Sequence, residues 1–97
     1  MAPLNALHGS EIAQRLDAND GWARHATRIV KIFRFANYYE TMAFVNAVAW
    51  IAHRADHHPD LELGYNHCSV SFTSHDAGGL TARDFDGAAK IDALFRL

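Results

Sequence analysis

Strand-forming residues arrive in this chain in two consecutive pairs, each pair set between segments of helical periodicity. Strands joined by a short turn pair antiparallel, whereas parallel strands need a long crossover between them. The reading is therefore an α+β domain in the order helix-strand-strand-helix-strand-strand-helix, with an antiparallel sheet and helices packed on one face. The 97 residues leave room for one core and one domain, 1–97.

Residues 1–9 read as a loose arm. Ser10 is the expected N-cap of the first helix, with Glu11 in its first turn and Ile12, Ala13 and Leu16 as a narrow apolar face. Asn19, Asp20 and Gly21 stop it, and residues 22–35 read as a hairpin, rich in β-branched and aromatic residues from position 27 onward. Asn37 opens the central helix, with Glu40 three positions on. Tyr38, Met42, Val45, Ala49 and Ala52 mark one face. Phe44, Val48, Trp50 and Ile51 make other faces apolar too, so burial on two sides is expected, the second side a subunit interface. Pro59 ends the segment and pushes His58 out of the helical region.

Leu61, Leu63 and Tyr65 alternate with Glu62 and Gly64 as a short strand. Cys68, Val70 and Phe72 alternate with Ser69, Ser71 and Thr73 as a half-buried one, and Asn66-His67 is the expected turn. After a loop at 76–79, Thr81 caps the last helix with Asp84 as its acidic partner, and Phe85, Ala88, Ile91, Leu94 and Phe95 form the apolar face.

Hydrophobic residues at 49% and charged residues at 21% describe a soluble globular chain. The formal net charge of −2 and the lack of a Lys/Arg stripe argue against direct nucleic-acid binding. The apolar stretch 42–52 is too short to span a membrane and runs into His53 and Arg54. The first residues lack the charged start and apolar block of a signal peptide. A single cysteine, Cys68, forms no internal disulfide, which fits a cytoplasmic protein.

The unusual figure is seven histidines. His53, His57, His58 and His67 fall within fifteen positions, and His75 follows. His53 and His57, four apart at a helix end, can share a face. His75 has the parity of the polar side of its strand and enters a Gly-Gly loop, where sites are commonly built. A zinc-like pair completed by His75, Cys68 or Asp56 is one reading, although the Glu of a metalloprotease helix is absent. Proton transfer without metal is another: histidine exchanges protons near neutrality, and Asp56 or Asp84 would orient a ring. Ordinary surface histidines, with Asp84 only a helix-start residue, are the third. The residues alone leave all three open.

The spaced set Asp56-His57-His58-Pro59, Tyr65-Asn66, His75, Gly79-Leu80-Thr81 and Asp84 resembles the pterin-4a-carbinolamine dehydratase family, also known as dimerisation cofactors of a homeodomain transcription factor. Gly21-Trp22, Phe33-Arg34-Phe35 and Met42-Ala43-Phe44 extend the likeness upstream. The resemblance implies a four-stranded antiparallel sheet with three helices on one face, assembled as a homodimer or homotetramer. It implies dehydration of 4a-hydroxytetrahydropterin, a product of aromatic amino-acid hydroxylases, to quinonoid dihydropterin in tetrahydrobiopterin recycling, with no metal and no organic cofactor. By position, His57 and His75 are the acid/base candidates, not assigned between the two roles. His58 binds the pterin, Asp56 and Asp84 support the site, and His53 lines it. Such a division of labour predicts a rate maximum near neutral pH. Leu61, where many relatives have Trp, and His53, where many have Glu, put the pocket's shape in question. Two alternatives follow from the same resemblance: a coactivator that stabilises a partner's dimer, or a dehydratase for another carbinolamine, as in molybdopterin metabolism.

Overall fold

The regular alternation of Cys68, Val70 and Phe72 builds the centre of the sheet. In the computed structural model, which describes residues 5–96, β4 (His67–Phe72) lies between β2 (Arg28–Arg34) and β3 (Asp60–Leu63). The short β1 (Ala23–His25) completes the order β1-β2-β4-β3, with every pairing antiparallel. Ile29 stands opposite Phe72, Lys31 opposite Val70 and Phe33 opposite Cys68, so these side chains share one face. Helices α1 (Gly9–Asp17), α2 (Tyr38–Ala55) and α3 (Ala82–Asp92) cover it. Ile12, Phe44, Val48, Phe85, Ala88 and Ile91 join the sheet residues in one buried core. The opposite face carries Val30, Ile32, Ser69 and Ser71, with Ile32 about half exposed. The α+β class, the element order and the four-stranded antiparallel sheet follow the sequence reading.

Four local features differ. Helix α1 begins at Gly9, and His8 rather than Ser10 is the N-cap; its N–H donates to Glu11 Oε1. Of the expected loose arm, residues 1–4 lie outside the described residues, but Leu7 is tied down: its N–H donates to Leu80 O at 2.8 Å, and its side chain packs on the core. The buried stripe of α2 is Thr41, Phe44, Val48 and Ala52, not the Tyr38–Ala49 face, and Tyr38 is half exposed. Thr41 can go inside because its hydroxyl reaches the carbonyls of Asn37 and Tyr65, 2.9 Å each. Finally, β3 stops at Leu63 and His67 already belongs to β4, so the turn is made by residues 64–66, closed by the Gly64 N–H on His67 O at 2.9 Å.

Candidate active site

The end of α2 decides where the histidines go. Asp56 adopts a left-handed conformation (φ 51, ψ 39). Its N–H donates to His53 O, and the His57 N–H reaches back to Ala52 O, both at 3.3 Å. This is the paired closure of a Schellman motif, a place usually held by glycine and tolerated by Asp. The turn takes His57 off the helix, so the shared face expected for His53 and His57 does not form. His53 stays exposed on the last turn, while the His57 side chain turns inward to 10% exposure.

There His57 Nε2 lies 2.6 Å from Asp84 Oδ1, and its ring stacks on Phe72 at 5.7 Å and 14°. Asp84 is fully buried in the first turn of α3. Its Oδ2 accepts the Thr81 N–H and the Ser74 hydroxyl, both at 2.9 Å. The capping box expected of Thr81 and Asp84 is present, so the carboxylate both caps a helix and holds a histidine. Two donors of fixed direction, the Thr81 N–H and the Ser74 hydroxyl, already converge on Oδ2 and leave Oδ1 to accept from His57. The hydrogen of the short contact therefore sits on His57 Nε2, an assignment made from the hydrogen-bond pattern.

The other candidates are distributed around this pair. His53 and His58 line a cavity of about 310 Å³ with Val48, Ala49, Ala52, Pro59 and Leu61. Its walls are mostly aliphatic. His57 borders a different cavity of about 220 Å³ with Ala55, Arg83, Asp86, Gly87 and Lys90. His75 lines neither. It opens a single 3₁₀ turn, His75–Ala77, and is exposed because β4 has ended at Phe72, not through the strand parity that the sequence suggests. That turn is fixed by the Ser74–Gly79 bridge and by Arg83 Nη2, which contacts both Asp76 oxygens at 3.0 Å. Asp56 is exposed and serves α2 through its backbone.

Among the described residues, no group of three or more His, Cys, Asp and Glu side chains converges as a metal site. Cys68, one candidate ligand, is fully buried in the core, where desolvation pushes its thiol pKa up. A larger cavity of about 540 Å³ is lined by other residues, Lys31, Phe33 and Asp92 among them, and by none of these histidines. Sequence reasoning misses Ser74, Phe72 and Gly87, whose contributions depend on contacts between elements.

The fold and the site define an α+β domain in which a helix end delivers a histidine onto a buried, hydrogen-bonded carboxylate. The family profile described as Pterin 4 alpha carbinolamine dehydratase matches residues 5–94, and the chain belongs to that family. A Nitrosospira multiformis protein assigned as a pterin-4-alpha-carbinolamine dehydratase is 55% identical over 97 residues, covering 100% of this chain and 83% of the relative. The crystal structure of a transcriptional coactivator/pterin dehydratase from Brucella melitensis superposes with a TM-score of 0.89 at 32% identity, covering 93% of this chain and 98% of that one. A pterin dehydratase-like RuBisCO assembly factor of the alpha-carboxysome shares the fold alone, with a TM-score of 0.62 at 24% identity over 75% of this chain and 84% of that one. Among the described residues, no helix is long and apolar enough to cross a membrane.

Proposed function

We propose that this chain dehydrates 4a-hydroxytetrahydropterin, with 4a-hydroxytetrahydrobiopterin as the substrate in pterin recycling. The observation that carries the reading is the 2.6 Å contact of His57 with buried Asp84 in a chain of this family. Asp84 holds the Nε2 hydrogen, which leaves Nδ1 as the ring atom available for proton exchange. Hydroxide leaves poorly, so an acid protonates the 4a oxygen as the C4a–O bond breaks. Ring-nitrogen electrons complete the new double bond, and a base takes the ring proton. One proton is donated and one accepted, so the products are quinonoid dihydropterin and water, and solvent exchange resets the pair. His57 and His75 take these two duties. In line with the family resemblance, His58 and His53 bind the pterin, while Asp84 orients His57 and Asp56 supports the turn. No metal or organic cofactor enters the scheme, because each step is a proton transfer that side chains carry out. A free, unpaired Cys68 suits a cytoplasmic setting.

The test is dehydration of freshly generated 4a-hydroxytetrahydropterin, followed by absorbance with a chelator present. Rapid turnover that falls by about 10²–10⁴-fold in His57→Ala and in His75→Ala is expected. Folded protein that does not exceed the spontaneous rate would move the reading to another carbinolamine or to a binding role.

The reading extends to a homodimer or homotetramer. Trp50 is 61% exposed on α2, with the Arg54 guanidinium 5.5 Å above its ring, and Tyr39 is 84% exposed. We assign this exposed aromatic side of α2 to the contact between subunits. The same surface, with the coactivator description of the Brucella structure, favours a second reading as a partner-binding protein. Sedimentation of Trp50→Lys checks the assembly: loss of mass with an unchanged circular dichroism spectrum is expected, and an unchanged mass counts against this surface.

A further inference from the structure

We propose that Ser74 is a positioning residue: its hydroxyl locks the Asp84 carboxylate in the orientation that aims His57, and so governs turnover rather than substrate binding. The proposal rests on the functional reading above and deepens it. Ser74 is 1% exposed and sits at the bridge to Gly79 just beyond β4. Its Oγ lies 2.9 Å from Asp84 Oδ2 and 2.8 Å from Thr81 Oγ1. Since a carboxylate only accepts, the single Ser74 hydroxyl hydrogen goes to Asp84, and Thr81 must donate to Ser74 Oγ. Thr81 Oγ1 in turn accepts the Arg83 N–H at 3.3 Å. The donors of Arg83, Thr81 and Ser74 therefore all point along one chain toward Oδ2, and bonds aligned in this way strengthen one another.

The capping box does not need Ser74, because Thr81 and Asp84 close it by themselves. What Ser74 adds is a second donor on Oδ2, from a different segment of the chain. The terminal torsion of an aspartate is soft, and one donor leaves the carboxylate free to swing. Two donors on Oδ2 commit Oδ1 to His57. Ser74 also directly precedes His75, so the same hydroxyl ties the exposed histidine's turn to the carboxylate that holds the buried one.

The test compares the full chain with Ser74→Ala and Ser74→Thr, which keeps the hydroxyl. If Thr proves too large, Ser74→Cys, a weaker donor, replaces it and is expected to be intermediate. One readout is kcat against KM. The other is the hydrogen-bonded ring N–H proton resonance of His57, assigned by its loss in His57→Gln. Ser74→Ala is expected to lower kcat by about tenfold or more, to leave KM within about twofold, and to shift or broaden the resonance. Ser74→Thr is expected to restore both. Retention of kcat and resonance in Ser74→Ala would overturn the proposal, as would an equal loss in Ser74→Thr from a folded protein. The resonance needs no turnover, so a wild type without dehydratase activity sinks the functional reading while the spectrum still decides the role of Ser74.

Discussion

Gly87 of α3 lies so close to Phe72 that a Cβ on the glycine would stand 2.7 Å from Phe72 Cζ and 2.8 Å from Cε1. The same phenyl ring stacks on His57, so a glycine thirty positions along the chain sets the height of the candidate catalytic ring. In a helix interior, Gly→Ala ordinarily stabilises by about 1 kcal/mol. Here the added methyl meets a core ring that is 2% exposed, and overpacking costs about 1–3 kcal/mol. Gly87→Ala is therefore expected to destabilise by about 1 kcal/mol net and to lower kcat by displacing Phe72 against His57. Urea denaturation and steady-state kinetics check this. A variant more stable than wild type would show that the ring moves away at little cost.

Asp56 separates a backbone role from a substrate role. Its left-handed backbone, φ 51, costs a non-glycine residue up to about 1–2 kcal/mol, less for Asp than for most. Asp56→Gly is expected to raise stability by about 0.5–1 kcal/mol, and Asp56→Ala to lower it by a similar amount. If the carboxylate also supports the pterin, KM rises in both variants although their stabilities diverge. A KM unchanged in both would confine Asp56 to closing the helix.

These two residues mark the boundary of what sequence conveys. The alternation of Cys68, Val70 and Phe72 and the Thr81–Asp84 capping box are local patterns, and both appear in the structure as read. The buried side of α2 is a tertiary choice between two apolar stripes, decided by where Phe44 and Val48 meet the sheet. The four-residue spacing of His53 and His57 implies a common helical face, but the left-handed Asp56 ends the helix one residue before that face is completed. Histidine spacing thus points to the right segment and gives the wrong geometry. Ser74 carries no local signal, because its partner is ten positions away on another element.

Cys68 offers a pH-dependent probe of the sheet. Burial raises its thiol above the ordinary value of 9.0, so the folded chain holds this proton at a pH where the unfolded chain releases it. The unfolded state then binds fewer protons, and stability falls as pH rises past 9.0 toward the raised value; below 9.0 the contribution is fully present. The urea midpoint of wild type is expected to fall more steeply than that of Cys68→Ala as pH rises above 9.0. A thiol reagent at pH 8 should label the native chain slowly and the denatured chain at once. Fast native labelling would mean that the β2–β4 core opens readily.

Asp84→Asn tests the junction of fold and chemistry. The amide keeps the shape of the carboxylate, but its nitrogen can accept neither the Thr81 N–H nor the Ser74 hydroxyl; rotating it the other way sets that nitrogen against the His57 N–H. Weakening the cap costs about 1 kcal/mol, and a buried donor left unpaired costs about 1–3 kcal/mol more, so a loss of about 2–4 kcal/mol is expected. Activity should fall further than stability implies, by about 10²–10⁴-fold at a temperature where the variant is still folded, because His57 loses the partner that fixes its Nε2 hydrogen. Denaturation and single-turnover rates measured on the same preparation decide between the roles. A stability loss with normal turnover would leave Asp84 as a helix cap alone, and a turnover loss without destabilisation would mean that the cap is replaced while the orientation of His57 is not.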